Sequence, residues 1–285
     1  MLVYVFPGQG SEKKGMGAEL FDEIEQFTQV EAEIDAQLGY SLRDLCLNDP
    51  QEQINQTQFT QPALFVTNAL HYYQQAKAGK TADLMAGHSL GEYNALLAAG
   101  AFDLVTGVKL VQKRGALMAQ ARDGGMAAII GLSAEQITDV LAQNNLNGID
   151  LANYNSPQQI VISGPVTEIQ QAKTALSEAG AKMCVILPAS AAFHSRYMEA
   201  AAKEFGDFLA GIEFNPLNIP VVANVTAEPY PDYVNGDEIK ALLVRQIHQS
   251  VRWTDTILSI KNQYSDVEFV ELGPGNVLTK LIKKI

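Results

Sequence analysis

The chain is short of cysteine, histidine and positive charge, and each shortage removes a class of function. Only Cys46 and Cys184 occur in 285 residues, far apart and outside any C-x-x-C or Cys/His ligand spacing, so neither a disulfide framework nor a structural zinc site is expected. Lys and Arg number 20 against 32 Asp and Glu, a net charge of −12, which opposes a phosphate-neutralising surface and with it nucleic-acid binding. No apolar run approaches the ~18 to 20 residues that span a bilayer. The N-terminal apolar stretch stops at Pro7-Gly8 with no positive flank, so no membrane association is expected and the chain reads as a cytoplasmic protein. What is plentiful is apolar content, 47% of positions, enough to build one large core or a domain carrying an insertion.

Leu2 to Phe6 is a continuous apolar run closed by Pro7-Gly8-Gln9-Gly10, the form of a strand buried on both faces of a parallel, helix-covered sheet. Similar runs at Leu84–Gly87, 221–225 and 267–273 alternate with helical periodicity at about 16–38, 61–78, 91–99 and 105–121, which gives an α/β class. The middle reads differently. Strands at 126–130, 148–155, 158–163 and 181–187, with helices at 133–143 and 166–179, follow the order β-α-β-β-α-β, with Asn155-Ser156-Pro157 as the hairpin turn, a ferredoxin-like pattern. Residues 125–189 are therefore expected to form a small inserted subdomain. The large subdomain is then discontinuous, built from 1–124 and 190–285. The chain's last residues, from Lys280, read as a helix end with cations at its C-terminus.

Gly87-His88-Ser89-Leu90-Gly91 is a G-x-S-x-G between an apolar strand and a helix, the context of a nucleophile elbow. The alternative is a plain glycine-bounded turn. A serine hydroxyl is a weak nucleophile at neutral pH and needs a base within hydrogen-bond reach. Of the four histidines, His88 adjoins Ser89 and should point away from it, in a supporting role. His71 sits in a helical run, and His248 has no turn to present it. His194 lies in the small-residue loop 189–195 between the two expected subdomains, where clefts form; by position alone it reads equally as a base or as a satisfied structural histidine. No single Asp or Glu between Ser89 and His194 stands out as a triad acid. Gly8-Gln9-Gly10 could bring backbone amides near Ser89 as an oxyanion hole, but as a dinucleotide loop it fails, because position 13 is lysine.

Taken together these motifs resemble one family, the malonyl-CoA:acyl-carrier-protein transacylases, and especially the discrete trans-acting acyltransferases of modular polyketide synthases. The resemblance runs through Phe6-Pro7-Gly8-Gln9-Gly10-Ser11, Thr60-Gln61-Pro62-Ala63, the elbow continued by Glu92-Tyr93, Lys113-Arg114-Gly115, Asn153-Tyr154-Asn155-Ser156-Pro157, Ala192-Phe193-His194-Ser195-Arg196, Arg245-Gln246, Val251-Arg252-Trp253 and Glu271-Leu272-Gly273-Pro274-Gly275. It implies an α/β-hydrolase-like core with a ferredoxin-like insertion. It also implies that Ser89 is acylated, that His194 is its base and that the main-chain carbonyl of Gln246 replaces the triad acid. The N–H groups of Gln9 and Leu90 would form the oxyanion hole. Arg114 would bind the free carboxylate of malonyl, with Phe193, Gln61, Asn155 and His88 lining the substrate site; without the family, Arg114 would read as an ordinary helix-surface arginine.

The implied activity is transfer of malonyl from malonyl-CoA to the phosphopantetheine thiol of an acyl carrier protein, in polyketide or fatty-acid synthesis, by a monomer with no bound cofactor or metal. The competing readings are an acyl hydrolase that clears misloaded carriers, against which Arg114 argues, and a non-catalytic docking module. An acidic carrier facing an acidic chain calls for a local basic patch, for which Lys13, Lys14, Lys113 and Arg196 are candidates. Three positions depart from the family pattern: Glu12 stands where glutamine is frequent, Ala191 where glycine is usual, and Ser250 where proline is common.

Overall fold

The computed structural model describes residues 1–189, 191–231 and 236–285. Ser190, the first residue of the expected second segment of the large subdomain, lies outside the described residues. The elements run β1 (Leu2–Phe6), α1 (Glu25–Thr28), α2 (Glu31–Leu38), α3 (Leu42–Leu47), α4 (Thr57–Lys77), β2 (Leu84–Gly87), α5 (Gly91–Ala98), α6 (Leu104–Gln120), β3 (Gly124–Ile130), α7 (Ala134–Gln143), β4 (Asp150–Ser156), β5 (Gln159–Pro165), α8 (Val166–Glu178) and β6 (Met183–Ile186). They continue with α9 (Glu199–Leu209), β7 (Val221–Val222), α10 (Gly236–His248), α11 (Trp253–Gln263), β8 (Glu268–Glu271) and α12 (Val277–Ile282). The chain is thus α/β, with one parallel sheet of order β7-β2-β1-β8 and one antiparallel sheet of order β4-β5-β3-β6. None of the described helices is long and apolar enough to cross a membrane.

The central strands β1 and β2 are apolar on both faces because helices cover both. Along β1, Tyr4 and Phe6 enter the large core with α4, α5 and α6, whereas Val3 and Val5 join Leu84, Ala86, Trp253 and Ile257 beneath α11 and α12. In the antiparallel part, Ala127, Ile129, Ile160 and Ile162 pack against Ile137, Leu141, Ile169 and Leu176 of α7 and α8. Ser133 opens α7 with a capping box: its hydroxyl accepts from the Gln136 N–H while the Gln136 side chain accepts from the Ser133 N–H, two otherwise orphaned donors satisfied at once.

Several expected elements change on folding. The single helix expected over 16–38 is a string of turns followed by α1 and α2. Gly15 and Gly17 take positive φ, and the segment bends at short range (Leu20 N–H to Gly17 O, Phe27 N–H to Ile24 O) so that Met16, Leu20, Phe21 and Phe27 all enter the core. The strand expected over 221–225 keeps only Val221 and Val222, because the chain turns back at Ala223, whose N–H bonds the Glu228 carbonyl. The helices α3, α9, α10 and α11 were not anticipated.

Strand β4 is tied by backbone to the segment between α10 and α11. Tyr154 N–H donates to Val251 O and Val251 N–H to Ala152 O, a parallel bridge outside the regular strands. Ser250 adds a hydroxyl bond to Leu151 O at 2.6 Å, which the proline common at this position could not make.

The decisive approach is between β1 and α5. A Cβ placed on Gly91 would lie 2.0 Å from the Phe6 carbonyl oxygen, and one on Gly8 would lie 2.5 Å from the His88 carbonyl oxygen. Both obstacles are backbone, so neither can step aside. Gly91→Ala is expected to destabilise the fold by about 3 kcal/mol, read as a lowered midpoint in thermal or denaturant unfolding.

Candidate active site

The elbow sets the geometry. β2 ends at Gly87, α5 begins at Gly91, and Ser89 between them has φ +52°, a left-handed backbone that costs a non-glycine residue about 1 kcal/mol or more. Side chains from elsewhere hold that strained residue at both ends. Its N–H donates to Asn224 Oδ1 at 2.7 Å, and its carbonyl accepts from Gln246 Nε2 at 2.7 Å. Asn224 Nδ2 also donates to Gly87 O at 2.6 Å, so one asparagine spans the turn.

His194, also at positive φ (+55°), reaches the elbow from the loop before α9. Its Nε2 lies 2.8 Å from Ser89 Oγ, and its Nδ1 lies 2.8 Å from the main-chain oxygen of Gln246. A carbonyl can only accept, so Nδ1 carries the ring proton and Nε2 offers its lone pair to the serine hydroxyl. Burial first, and then the positive charge of Arg114, push the imidazole pKa down to about 3. The ring is therefore neutral at pH 7, the state in which it can take a proton.

Arg114 enters from α6 with 1% of its surface exposed, so it is no surface arginine. Nη1 donates to Gln61 Oε1 at 2.9 Å, and Nη2 donates both to Ser89 Oγ at 3.1 Å and to Gln246 Oε1 at 2.9 Å. Its guanidinium carbon lies 5.3 Å from the centre of the Tyr93 ring, a cation–π contact in a dry setting. Nε is buried with no hydrogen-bond partner among the described residues. Close α4–α6 packing places Gln61 and Arg114 together, since a Cβ on Gly115 would lie 3.0 Å from Thr57 O.

These groups open on a cavity of about 520 Å³ lined by Gln9, Gln61, His88, Ser89, Leu90, Arg114, Asn155, Phe193 and His194, with Met118, Met126, Val161 and Leu187 as apolar wall and Leu278 and Leu281 of α12 opposite. Gln246 is fully buried behind them. Among the described residues no acceptor takes the N–H of Gln9 or of Leu90; Leu90 heads α5, where the helix dipole favours negative charge. The Gln9 loop is fastened by Asn68, whose Nδ2 donates to Pro7 O at 3.0 Å, and by Glu12, which accepts the Gly10 N–H at 2.6 Å. His88 turns away from the serine, with Nε2 at 2.8 Å from Asn155 Oδ1 and its ring edge-on to Trp253. A wider cleft of about 810 Å³ lies on the other side of His194 and is lined by His248, Arg196 and Arg252 but not by Ser89.

Two expected surface cations are already paired, Lys113 with Glu204 at 2.7 Å and Arg196 with Asp150. This weakens both as members of a free basic patch. Lys13 and Lys14 are exposed.

Sequence reasoning missed Asn224, Tyr230 and the part played by Glu92. Glu92 was in view within the elbow motif, and Asn224 interrupts an apolar run, a signal that could have found it. Tyr230 carries no local signal.

A serine held against a neutral histidine at the head of a helix is the constellation of acyl-group chemistry. Residues 3–284 match the family model described as the acyl transferase domain. The whole chain is 50% identical to the polyketide biosynthesis malonyl CoA-acyl carrier protein transacylase PksC of Bacillus subtilis and covers 97% of it. Among solved structures, the malonyl CoA-acyl carrier protein transacylase of Burkholderia pseudomallei superposes with a TM-score of 0.94 at 46% identity, over 100% of this chain and 97% of that one. A malonyl-transacylase in complex with its type II PKS acyl-carrier protein gives 0.92 at 39% identity, over 100% of this chain and 92% of that one. The chain belongs to the malonyl-CoA:acyl-carrier-protein transacylases, a branch of the acyl transferase family.

The His194 ring is expected to stay neutral, with its proton on Nδ1, as pH is lowered to about 5, where a free imidazole is mostly charged. Nitrogen-15 chemical shifts of the ring read this directly, and an imidazolium signal growing in near pH 6.5 would contradict it.

Proposed function

We propose that this protein moves a malonyl group from malonyl-CoA to the phosphopantetheine thiol of an acyl carrier protein through an acyl-enzyme on Ser89. One observation carries the reading: Ser89 Oγ lies within hydrogen-bond reach of both His194 Nε2, at 2.8 Å, and Arg114 Nη2, at 3.1 Å. A base and a fixed cation thus meet at one hydroxyl. The family membership supports it, since the relatives compared above are transacylases by name and one was solved with its carrier protein.

The steps follow from the donors. Ser89 Oγ attacks the thioester carbonyl as its proton passes to His194 Nε2. The oxyanion is met by the N–H groups of Gln9 and Leu90, each such donor being worth ~3 to 4 kcal/mol of barrier. The C–S bond breaks, and the CoA sulfur leaves with the proton from His194. The carrier thiol then repeats the sequence in reverse, giving its proton to His194 as sulfur attacks the acyl-serine.

Arg114 adds selectivity. Its planar fork suits a carboxylate, with two parallel charge-assisted hydrogen bonds, and a malonyl carboxylate on it would take the place of the resting contact to Ser89. The same pairing cancels the positive charge that, after burial, adds to the low basicity of His194. A malonyl group bound this way therefore strengthens the base that takes the Ser89 proton, and an acetyl group does not. Phe193, buried on the cavity wall, crowds the carbon that would carry a methyl branch, which favours malonyl over methylmalonyl by ~1 to 3 kcal/mol. Gln61, Asn155 and His88 shape the remaining wall.

The architecture that fits this reading is an α/β-hydrolase-like core formed by 1–124 and 190–285, interrupted by a ferredoxin-like subdomain at 125–189. The order β3-α7-β4-β5-α8-β6 supports the insertion. Lys13 and Lys14 are the better-placed cations for an acidic carrier.

Brief incubation with malonyl-CoA is expected to give a malonyl adduct by intact-protein mass spectrometry, absent in Ser89→Ala and discharged when carrier protein is added. Free malonate with no acylated carrier would instead identify a hydrolase. Arg114→Ala is expected to slow malonyl loading by about 100-fold, the worth of a charge-assisted pair, and acetyl loading by less than about 10-fold. Equal losses on the two substrates would remove the carboxylate role.

A further inference from the structure

Glu92 has 1% of its surface exposed and no task in the steps above. It sits in the first turn of α5, and its carboxylate collects three donors from two distant segments. Tyr230 Oη–H donates to Oε1 at 2.7 Å. Gln246 Nε2 donates to Oε2 at 2.8 Å, and the Asn224 N–H donates to the same oxygen at 3.3 Å. No lysine or arginine among the described residues pairs with it directly. The nearest link to a cation runs through the Gln246 amide to Arg114.

That amide has two possible orientations of nearly equal shape, because its oxygen and nitrogen differ little in size. As folded, Nε2 faces two acceptors, Ser89 O and Glu92 Oε2, while Oε1 faces the Arg114 donor. Turned by 180°, the oxygen would oppose both acceptors and the NH2 group would oppose a guanidinium. The serine carbonyl contributes one neutral hydrogen bond to the choice. The Glu92 carboxylate and the Arg114 guanidinium each contribute a charge-assisted bond about twice as strong.

We propose that Glu92 is a positioning residue for acyl transfer: its ionised carboxylate fixes the orientation of the Gln246 side-chain amide and so holds Arg114 beside Ser89. The proposal rests on the reading of Ser89 and Arg114 given above and extends it. Through Asn224 the same carboxylate braces the elbow, since that asparagine bonds both Ser89 N–H and Gly87 O.

Protonation would remove the charge behind the Gln246 bond, and a proton on Oε2 would also face the Gln246 and Asn224 donors, so the hold on the amide weakens. The titratable and charged groups facing Glu92 are Arg114 from α6, Tyr230 from the segment after β7, and Tyr93 beside it on α5; Gln246 of α10 and Asn224 present neutral amides. Burial raises the carboxyl pKa to about 7, against the opposing pull of these hydrogen bonds and of Arg114. His194 titrates far lower, at about 3. A fall in malonyl loading near neutrality that Glu92→Gln removes and Tyr230→Phe displaces therefore belongs to Glu92.

The test is single-turnover acylation of the intact chain by malonyl-CoA and by acetyl-CoA from about pH 5 to 9, in wild type, Glu92→Gln and Tyr230→Phe, with thermal unfolding of each. Wild-type malonyl loading should fall on the acid side with a midpoint near 7. Tyr230→Phe removes a donor that favours the ionised form, so its midpoint should move to higher pH. Glu92→Gln should flatten the profile and cut malonyl loading about 10- to 100-fold, with a smaller cut for acetyl. If Glu92→Gln does not fold, the Tyr230→Phe midpoint decides alone. An unmoved midpoint, or equal losses on both substrates with the profile intact, overturns the proposal and leaves the Ser89 reading standing. No wild-type adduct at any pH overturns both.

Discussion

The backbone of α5 runs against the end of β1 with no room for a side chain at Gly91, and the rest of the site hangs on that contact. It allows the chain to leave β2 and start a helix within three residues, at the expense of a left-handed serine. A strained residue persists only where its surroundings over-determine it. Here Asn224 holds the Ser89 N–H and Gln246 holds its carbonyl, so the strain is carried by side chains from two other parts of the chain. The hydroxyl is thereby presented rather than left to find its own rotamer, and what lies within 3.1 Å of it, a neutral imidazole and a guanidinium, meets it without further rearrangement.

Gln246 is where these supports converge. Its main-chain oxygen orients His194, its side-chain oxygen orients Arg114, and its side-chain nitrogen ties Ser89 to Glu92. An aspartate at the far side of the histidine would place a negative charge beside a buried arginine and compete for it. A carbonyl sets the same tautomer without that competition, and this leaves Arg114 only neutral acceptors in its resting state. The direct partners of Arg114 are two amide oxygens and the Ser89 hydroxyl, and the Glu92 carboxylate stands one amide further off.

The electrostatics of the site follow from depth. Desolvation is the first cause of the displacement of both His194 and Glu92 from their ordinary values, the imidazole downward and the carboxyl upward, because burial opposes whichever form is charged. The two shifts place the groups in opposite regimes. The histidine is neutral through the working range, while the carboxyl sits close to the edge of its own. At the surface, Lys113 and Arg196, candidates for a basic patch, each have an acidic neighbour on another element.

The G-x-S-x-G elbow, the buried parallel strands and the β-α-β-β-α-β order were legible in the sequence because each depends on neighbours within a few residues: glycines that permit a turn, apolar runs that need two covered faces, and alternation that needs one. Motif resemblance added Gln246 and Arg114, which no local pattern distinguishes from an ordinary helix glutamine and arginine. The broken segment over 16–38 was misread as one helix because its periodicity serves a core packed by turns, and local period does not report which. The Glu92, Asn224 and Tyr230 network was invisible for a related reason: its members stand up to 138 residues apart, and a hydrogen bond between them exists only once β7, α5 and α10 have packed. The sequence by itself thus determined the class, the turn and the residue types the chemistry requires, since these are properties of short stretches of chain. Only the tertiary structure decided which way the Gln246 amide points and which carboxylate holds it there, because orientation in a dry interior is set by partners that the chain brings from far away.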